Sequence, residues 1–261
     1  MRSRRLWFQL IAGWYAIWFV VGLMFLSFGW QPLFNHWEDF LFLALAAAVV
    51  LIQVAGWFGW RRTFAAFAWV AIVSGVIEAV GASTGFPFGP YHYTETMGPR
   101  IAGLLPLAIP CAWWVVLLPL QFYWSLRLPE RLQVYLPAVV GFSAMLVDVT
   151  LEPVATALRE YWIWDRSGIW YGVPEQNFLG WWLTATLISF GLVVLLPGRE
   201  VLETLGRRRV LFLPALILTS VLFSFLAAAV GASMWPAVVA LAIGVGLVGA
   251  MTHWSRGPQK V

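Results

Sequence analysis

The sequence has few of the side chains on which metal and cofactor chemistry depends. Lys260, near the carboxyl end, is the only lysine, so a retinal Schiff base buried in a membrane helix is excluded. Cys111 is the only cysteine, which excludes an intramolecular disulfide and a multi-cysteine metal site. Three histidines, His36, His92 and His253, are too few for a membrane di-iron centre or for paired haem ligands. We therefore expect no metal ion and no other cofactor.

Charged residues are also scarce. They make up 11% of the 261 residues, against roughly 25% in a soluble domain, and 61% of the chain is hydrophobic. Apolar runs of about 20 residues recur, and each could cross a bilayer core of about 30 Å. The sequence predicts an all-α polytopic integral membrane bundle, with residues 1–261 forming a single transmembrane helical domain. About eight transmembrane helices are predicted, at residues 7–29, 40–59, 64–82, 104–125, 132–152, 178–197, 210–230 and 235–252.

Basic residues are divided unequally between the two ends of the predicted bundle. Thirteen lie before the first helix, in every second connection and in the tail, and three lie in the other connections. Because basic residues concentrate on the cytoplasmic side, we expect both termini in the cytoplasm, and a bacterial plasma membrane as the location. The net charge of +4 does not indicate a nucleic-acid partner. The two longest connections, residues 83–103 and 153–177, then fall together on the non-cytoplasmic side.

Three acidic residues lie at the ends of helices that lead into these long loops. Glu78 is near the end of the third helix, and Asp148 and Glu152 are near the end of the fifth. A carboxylate in a membrane segment costs about 2.5–3.5 kcal/mol or more, so such residues are candidates for function. Asp148 and Glu152 are four residues apart and share a face if the helix continues to Pro153. Two neighbouring acids in a low dielectric resist double ionisation, which favours one of them as a proton donor.

Carboxylic acids without a cofactor can transfer protons. Hydration or cyclisation of an alkene fits this chemistry, with aromatic faces stabilising the carbocation. A proton-coupled transporter and a metal-dependent prenyl transferase are alternatives, and a non-catalytic assembly protein is a third. The acids could also serve structure alone, by capping a loop or by pairing with Arg100, Arg159 or Arg166.

Two blocks of sequence resemble the carotenoid biosynthesis membrane proteins that include the carotenoid 1',2'-hydratases. The resemblance covers roughly residues 70–185 and rests on polar, glycine and proline residues at fixed spacing in an apolar chain. The first block is Glu78-Ala-Val-Gly81 followed by Thr84-Gly-Phe-Pro-Phe-Gly-Pro-Tyr-His-Tyr93. The second is Asp148, Glu152-Pro153, Trp162-x-Trp164, Gly168, Trp170-Tyr-Gly-Val-Pro174 and Asn177-Phe-x-Gly-Trp181.

This resemblance implies a cofactor-independent hydro-lyase that adds water to the terminal double bond of an acyclic carotenoid end group, giving a tertiary alcohol. It leaves the carotenoid itself open, and it implies membrane lipid and other enzymes of the pathway as partners. We predict Glu78, Asp148 and Glu152 as the acid and base residues. Candidates for orienting water are Tyr91, Tyr93 and Asn177, and candidates for lining a polyene channel or anchoring in lipid are Trp162, Trp164, Trp170 and Trp181.

Overall fold

The computed structural model describes residues 2–28 and 37–254, with side chains described for residues 5–25 and 37–251. His36 and the basic residues Arg256 and Lys260 lie outside the described residues, and so do the side chains of Arg2, Arg4 and His253.

Nine helices are formed by the described part of the chain, and the prediction of an all-α polytopic membrane bundle is confirmed. They are α1 (Arg2–Phe28), α2 (Trp37–Phe58), α3 (Trp60–Thr84), α4 (Ala108–Arg127), α5 (Leu136–Ala157), α6 (Glu175–Leu195), α7 (Arg199–Leu205), α8 (Arg207–Gly231) and α9 (Trp235–Trp254). Seven of them are long and apolar enough to cross a membrane, and α9 has a shorter apolar stretch, Trp235–Met251. The short α7 was not predicted.

The centre of the bundle is α4, whose span is 72% buried. It packs against α2, α3, α5 and α8, while α5 packs along α6 and α8 along α9. Trp113, Trp114 and Phe122 are among its fully buried side chains. Such burial of large apolar side chains on every face is what the continuous hydrophobic sequence of α4 predicts.

Helix α5 begins at Leu136, after a 3-10 turn at Glu130–Tyr135, and continues past Pro153 to Ala157. Because proline has no N–H, the carbonyl of Val149, four residues earlier, loses its helical partner. The indole N–H of Trp170 donates to that carbonyl at 2.9 Å. The loop after α5 therefore supplies the hydrogen bond that Pro153 removes, and the helix stays continuous through Asp148 and Glu152.

Four short strands lie in the connections after α3 and α5, where no strand was predicted. They are β1 (Tyr91–Tyr93), β2 (Arg100–Ile101), β3 (Leu105–Pro106) and β4 (Trp162–Trp164). Strand β3 occupies the start of the predicted fourth helix, residues 104–125, and α4 begins only at Ala108. Strand β1 pairs antiparallel with β4, and β2 with β3. The β1–β4 pair joins the loop after α3 to the loop after α5, so the ends of these two helices are held together.

Candidate active site

The β1–β4 ladder sets the geometry of the site. Tyr91 is opposite Trp164, His92 is opposite Ile163, and Tyr93 is opposite Trp162. Because side chains alternate along a strand, Tyr91 and Tyr93 point to one face and His92 to the other. The two tyrosines are buried, whereas the His92 side chain is 59% exposed and contacts Asp165 at the surface. The buried face of the ladder is therefore aromatic and closes one end of the bundle.

Below this face, the carboxyl group of Glu78 accepts three hydrogen bonds. The hydroxyl groups of Tyr91 and Tyr93 each donate to Glu78 Oε2 at 2.7 Å, and the indole N–H of Trp113 donates to Oε1 at 3.2 Å. The Glu78 side chain lies on the last turns of α3 and is 6% exposed. Three donors satisfy a buried carboxylate well.

The two tyrosines keep their protons. Burial, and after it the charge of Glu78, raises the pKa of Tyr91 and of Tyr93 far above the ordinary phenol value. Both hydroxyl groups therefore remain hydrogen-bond donors to Glu78 across the whole physiological pH range.

A second pair of carboxyl groups belongs to Asp148 and Glu152. The amide nitrogen of Asn177, in the first turn of α6, donates to Asp148 Oδ2 at 2.8 Å and to Glu152 Oε1 at 2.9 Å. The indole N–H of Trp164 is 3.4 Å from Glu152 Oε2. Asp148 is 2% exposed and Glu152 is 1% exposed. One amide group thus bridges two buried acids that lie one helical turn apart, as their spacing predicted.

None of the three acids forms an ion pair within the described residues. Arg159 pairs with Asp39 of α2, and Arg100 pairs with Glu95 at 3.4 Å. Arg166 is exposed on the loop after β4. The alternative in which these arginines neutralise the acids is therefore wrong for Arg100 and Arg159. Three buried carboxyl groups without a partner cation are costly unless at least some of them hold a proton.

All three acids line one cavity of about 270 Å³. Most of its wall is apolar or aromatic. The three acids and Asn177 lie where α3, α5 and α6 meet the β1–β4 ladder, and Glu38, Asp39 and Arg159 also line the cavity. Nine of the ten site residues predicted from sequence line this cavity: Glu78, Tyr91, Tyr93, Asp148, Glu152, Trp162, Trp164, Asn177 and Trp181. The tenth, Trp170, is not among the lining residues, and its indole is bound to the Val149 carbonyl.

Aromatic rings surround the carboxyl groups. Trp113 and Trp181 stack with ring centroids 4.1 Å apart, and Tyr91 lies 5.2 Å from Trp164. Trp113 lines the cavity and binds Glu78, but the sequence analysis missed it. A tryptophan inside the apolar run of α4 looks like any other core residue. Its position less than two turns from the start of α4 gives no separate signal.

Within the described residues, no group of three or more histidine, cysteine and acidic side chains has the arrangement of a metal site. The arrangement that does occur, of carboxyl groups bound by neutral donors in an aromatic cavity, is suited to proton transfer with a hydrophobic molecule.

Comparison with known proteins gives two matches to this chain. A family model described as carotenoid biosynthesis protein matches residues 38–247. Over 137 residues, the chain is 33% identical to the bisanhydrobacterioruberin hydratase of Haloarcula japonica. That stretch covers 50% of this chain and 46% of the relative, so the match extends over about half of each protein. No solved structure matches the chain.

Proposed function

The chain belongs to the carotenoid biosynthesis protein family, and we propose that it is a cofactor-independent carotenoid 1',2'-hydratase. It would add water to the terminal double bond of an acyclic carotenoid end group and produce a tertiary alcohol. The observation that carries the proposal is the presence, in one aromatic cavity, of three buried carboxyl groups that form no ion pair with any described residue. The hydratase name of the partial relative supports the same type of reaction.

The proton donor in this proposal is the Asp148–Glu152 pair. Two carboxylates bridged by one neutral amide repel each other in a low dielectric, so the pair retains a proton. The carboxyl O–H bond breaks, and the π electrons of the terminal alkene form a new C–H bond at the less substituted carbon. The positive charge then lies on the tertiary carbon, and the pair is left with both groups ionised.

Glu78 is the base in this proposal. It accepts three hydrogen bonds, which favour its carboxylate form, and that carboxylate would hold a water molecule toward the cation. When the water oxygen bonds to the tertiary carbon, one of its protons passes to Glu78. Transfer of that proton back to the Asp148–Glu152 pair restores the starting state, and the net change is the addition of one water molecule to the alkene.

The aromatic rings would stabilise the carbocation. A positive charge over the face of a tryptophan or tyrosine is attracted by about 0.5–2 kcal/mol, more when water is excluded. The stacked Trp113–Trp181 pair and the neighbouring Tyr91 and Trp164 rings lie beside the acids. The same rings would exclude stray water, so that the cation is not lost to side reactions before the bound water reacts.

Expression in a lycopene-producing bacterium tests the proposal. Pigments extracted from these cells should include a species heavier than lycopene by one water, with the chromophore unchanged because only an end group reacts. Cells that produce the Asp148→Asn variant at the same level are the control and should contain lycopene alone. Unchanged pigment in the wild-type cells would argue against lycopene hydration, and a supplied panel of other acyclic carotenoids would then decide whether any end group is accepted.

A further inference from the structure

The cavity has a largely apolar extension that Glu78, Asp148 and Glu152 do not occupy, although Glu38 and Asp39 of α2 and Ser224 of α8 also line it. We name it the α1 arm, and its walls belong to helices α1, α2 and α8. Its lining residues are Trp18, Phe19 and Gly22 of α1, Phe42 of α2, and Phe225 and Ala228 of α8. Because α1 packs mainly against α2 and α8, the arm leads away from α5 and α6, where the acids lie.

One face of α1 forms the wall of the arm. Tyr15, Trp18, Phe19 and Gly22 follow the spacing of three and four residues that places side chains on one side of a helix. Tyr15 is 6% exposed, and its hydroxyl is 2.5 Å from Ser220 Oγ of α8. This contact fixes which face of α1 points inward, and Gly22 lies two turns further along the same face. A Cβ atom on Gly22 would meet no atom within 4 Å, so the glycine leaves open space.

The other side of α1 is exposed and apolar. Only 6% of its span is buried, and Trp7, Trp14, Ile17 and Val20 are each about half exposed. In a membrane this surface faces lipid. A single helix therefore separates the α1 arm from the bilayer.

We propose that the α1 arm binds the conjugated chain of the carotenoid whose end group reaches the three acids, with α1 as the outer wall. The inference rests on the proposed hydratase function. Cavities that enclose drug-sized ligands have roughly 300–1,000 Å³, so a cavity of about 270 Å³ holds only one end of a carotenoid. The conjugated chain has to extend beyond the acids, and the aromatic and small residues of α1, α2 and α8 offer the apolar surface for it.

Substitution of Gly22 by larger residues tests the arm directly. Gly22→Leu and Gly22→Phe fill the space into which a Cβ projects. The wild type and the variants are purified in detergent from a carotenoid-producing host, and bound carotenoid is measured by its visible absorbance relative to protein. We expect the loss of bound carotenoid to increase from Leu to Phe and to reach about tenfold for Phe. Gly13→Leu and Gly13→Phe are matched controls on the exposed face of α1, where a Cβ also meets nothing, and they should bind as the wild type does.

The binding measurement separates this inference from the proposed function. If the wild type forms the alcohol but the Gly22 and Gly13 variants retain and convert carotenoid equally, the arm is not the binding site. In the opposite outcome, the wild type retains carotenoid without forming alcohol, while the Gly22 variants retain none. That result would support carotenoid binding in the α1 arm and contradict the hydratase proposal. Yield in the membrane and thermal unfolding in detergent show whether the Phe variant is folded. If the Phe variant is not folded, the Leu variant, which has the smaller side chain, gives the decisive measurement.

Discussion

Asn177 connects two acids that have no partner cation within the described residues, so the proton-donating role in the proposal depends on Asp148 itself. Asp148→Asn keeps the shape of the side chain but cannot give a proton. A general acid contributes about 10²–10⁴ to the rate, so we expect hydration to fall by about a hundredfold or more. The variant should still accumulate in the membrane and still bind carotenoid. Product per unit of protein, from pigment extracts, is the measurement.

The other two acids provide the comparison. Glu78→Gln should hydrate carotenoid very slowly because the base is lost. Glu152→Gln should show the smallest loss of activity of the three if Glu152 affects only the acidity of Asp148. Near-normal product from Asp148→Asn would place the donor elsewhere, with Glu78 as the next candidate.

Metal removal gives a prediction at the same scale. The proposed steps use carboxyl groups alone, so incubation of purified protein with EDTA should leave the rate of hydration unchanged. A prenyl transferase that binds a metal diphosphate through acids would lose activity and recover it with a divalent ion. Recovery by one specific metal would therefore contradict the carboxyl mechanism and favour that alternative.

At the scale of single residues, the sequence identifies a site residue only where its side chain differs in polarity from its neighbours. Glu78, Asp148 and Glu152 could be recognised because a charge in an apolar helix is unusual, and all three line the cavity. Trp113 could not, since a tryptophan among apolar residues satisfies the same pattern as a core side chain. Trp170 belonged to a motif block, but its contact with the Val149 carbonyl depends on the chain folding back onto α5.

At the scale of elements, hydropathy located the long helices but missed the short helix α7 and the four short strands. The fifth helix was predicted to end at residue 152, whereas α5 continues to Ala157 because Trp170 compensates for Pro153. The strands β1 and β4 were missed because three residues, paired across more than sixty positions of chain, leave no periodic pattern. Tertiary contacts determine both the end of α5 and the pairing of β1 with β4. Such contacts cannot be inferred from the local pattern of a single sequence.

Gly180 of α6 lets the first long loop approach the helix. A Cβ at this position would lie 2.7 Å from Phe88 Cδ1 and 2.9 Å from the carbonyl oxygen of Pro87. Gly180→Ala should therefore displace the loop that carries Tyr91 and Tyr93, at a cost of about 1–3 kcal/mol, and lower the rate of hydration. Thermal unfolding and activity are measured together.

Gly246→Ala in α9 is the matched control, because a Cβ there meets nothing within 4 Å. It should leave both stability and activity near the wild-type values. Equal behaviour of the two variants would mean that the contact between α6 and the loop does not position the site.

At the scale of the whole molecule, the distribution of basic residues predicts the orientation. Cys111→Ala removes the only cysteine, after which single cysteines report accessibility. Ile169 is 96% exposed in the loop after β4, and Arg131 is exposed in the connection between α4 and α5. A membrane-impermeant maleimide should label Ile169→Cys in intact cells and label Arg131→Cys only after permeabilisation. The reverse pattern would invert the proposed topology.

The enclosure of all three carboxyl groups in one cavity has an energetic consequence. In the proposed reaction, the proton given to the alkene returns from the added water to a neighbouring carboxyl group, so no net proton would cross the membrane in a turnover. The reaction is then independent of the proton-motive force, and a protonophore added to energised membrane vesicles should leave the rate of alcohol formation unchanged. A proton-coupled transporter built on the same acids would stop accumulating its substrate under that treatment, because its work depends on the gradient that the protonophore abolishes.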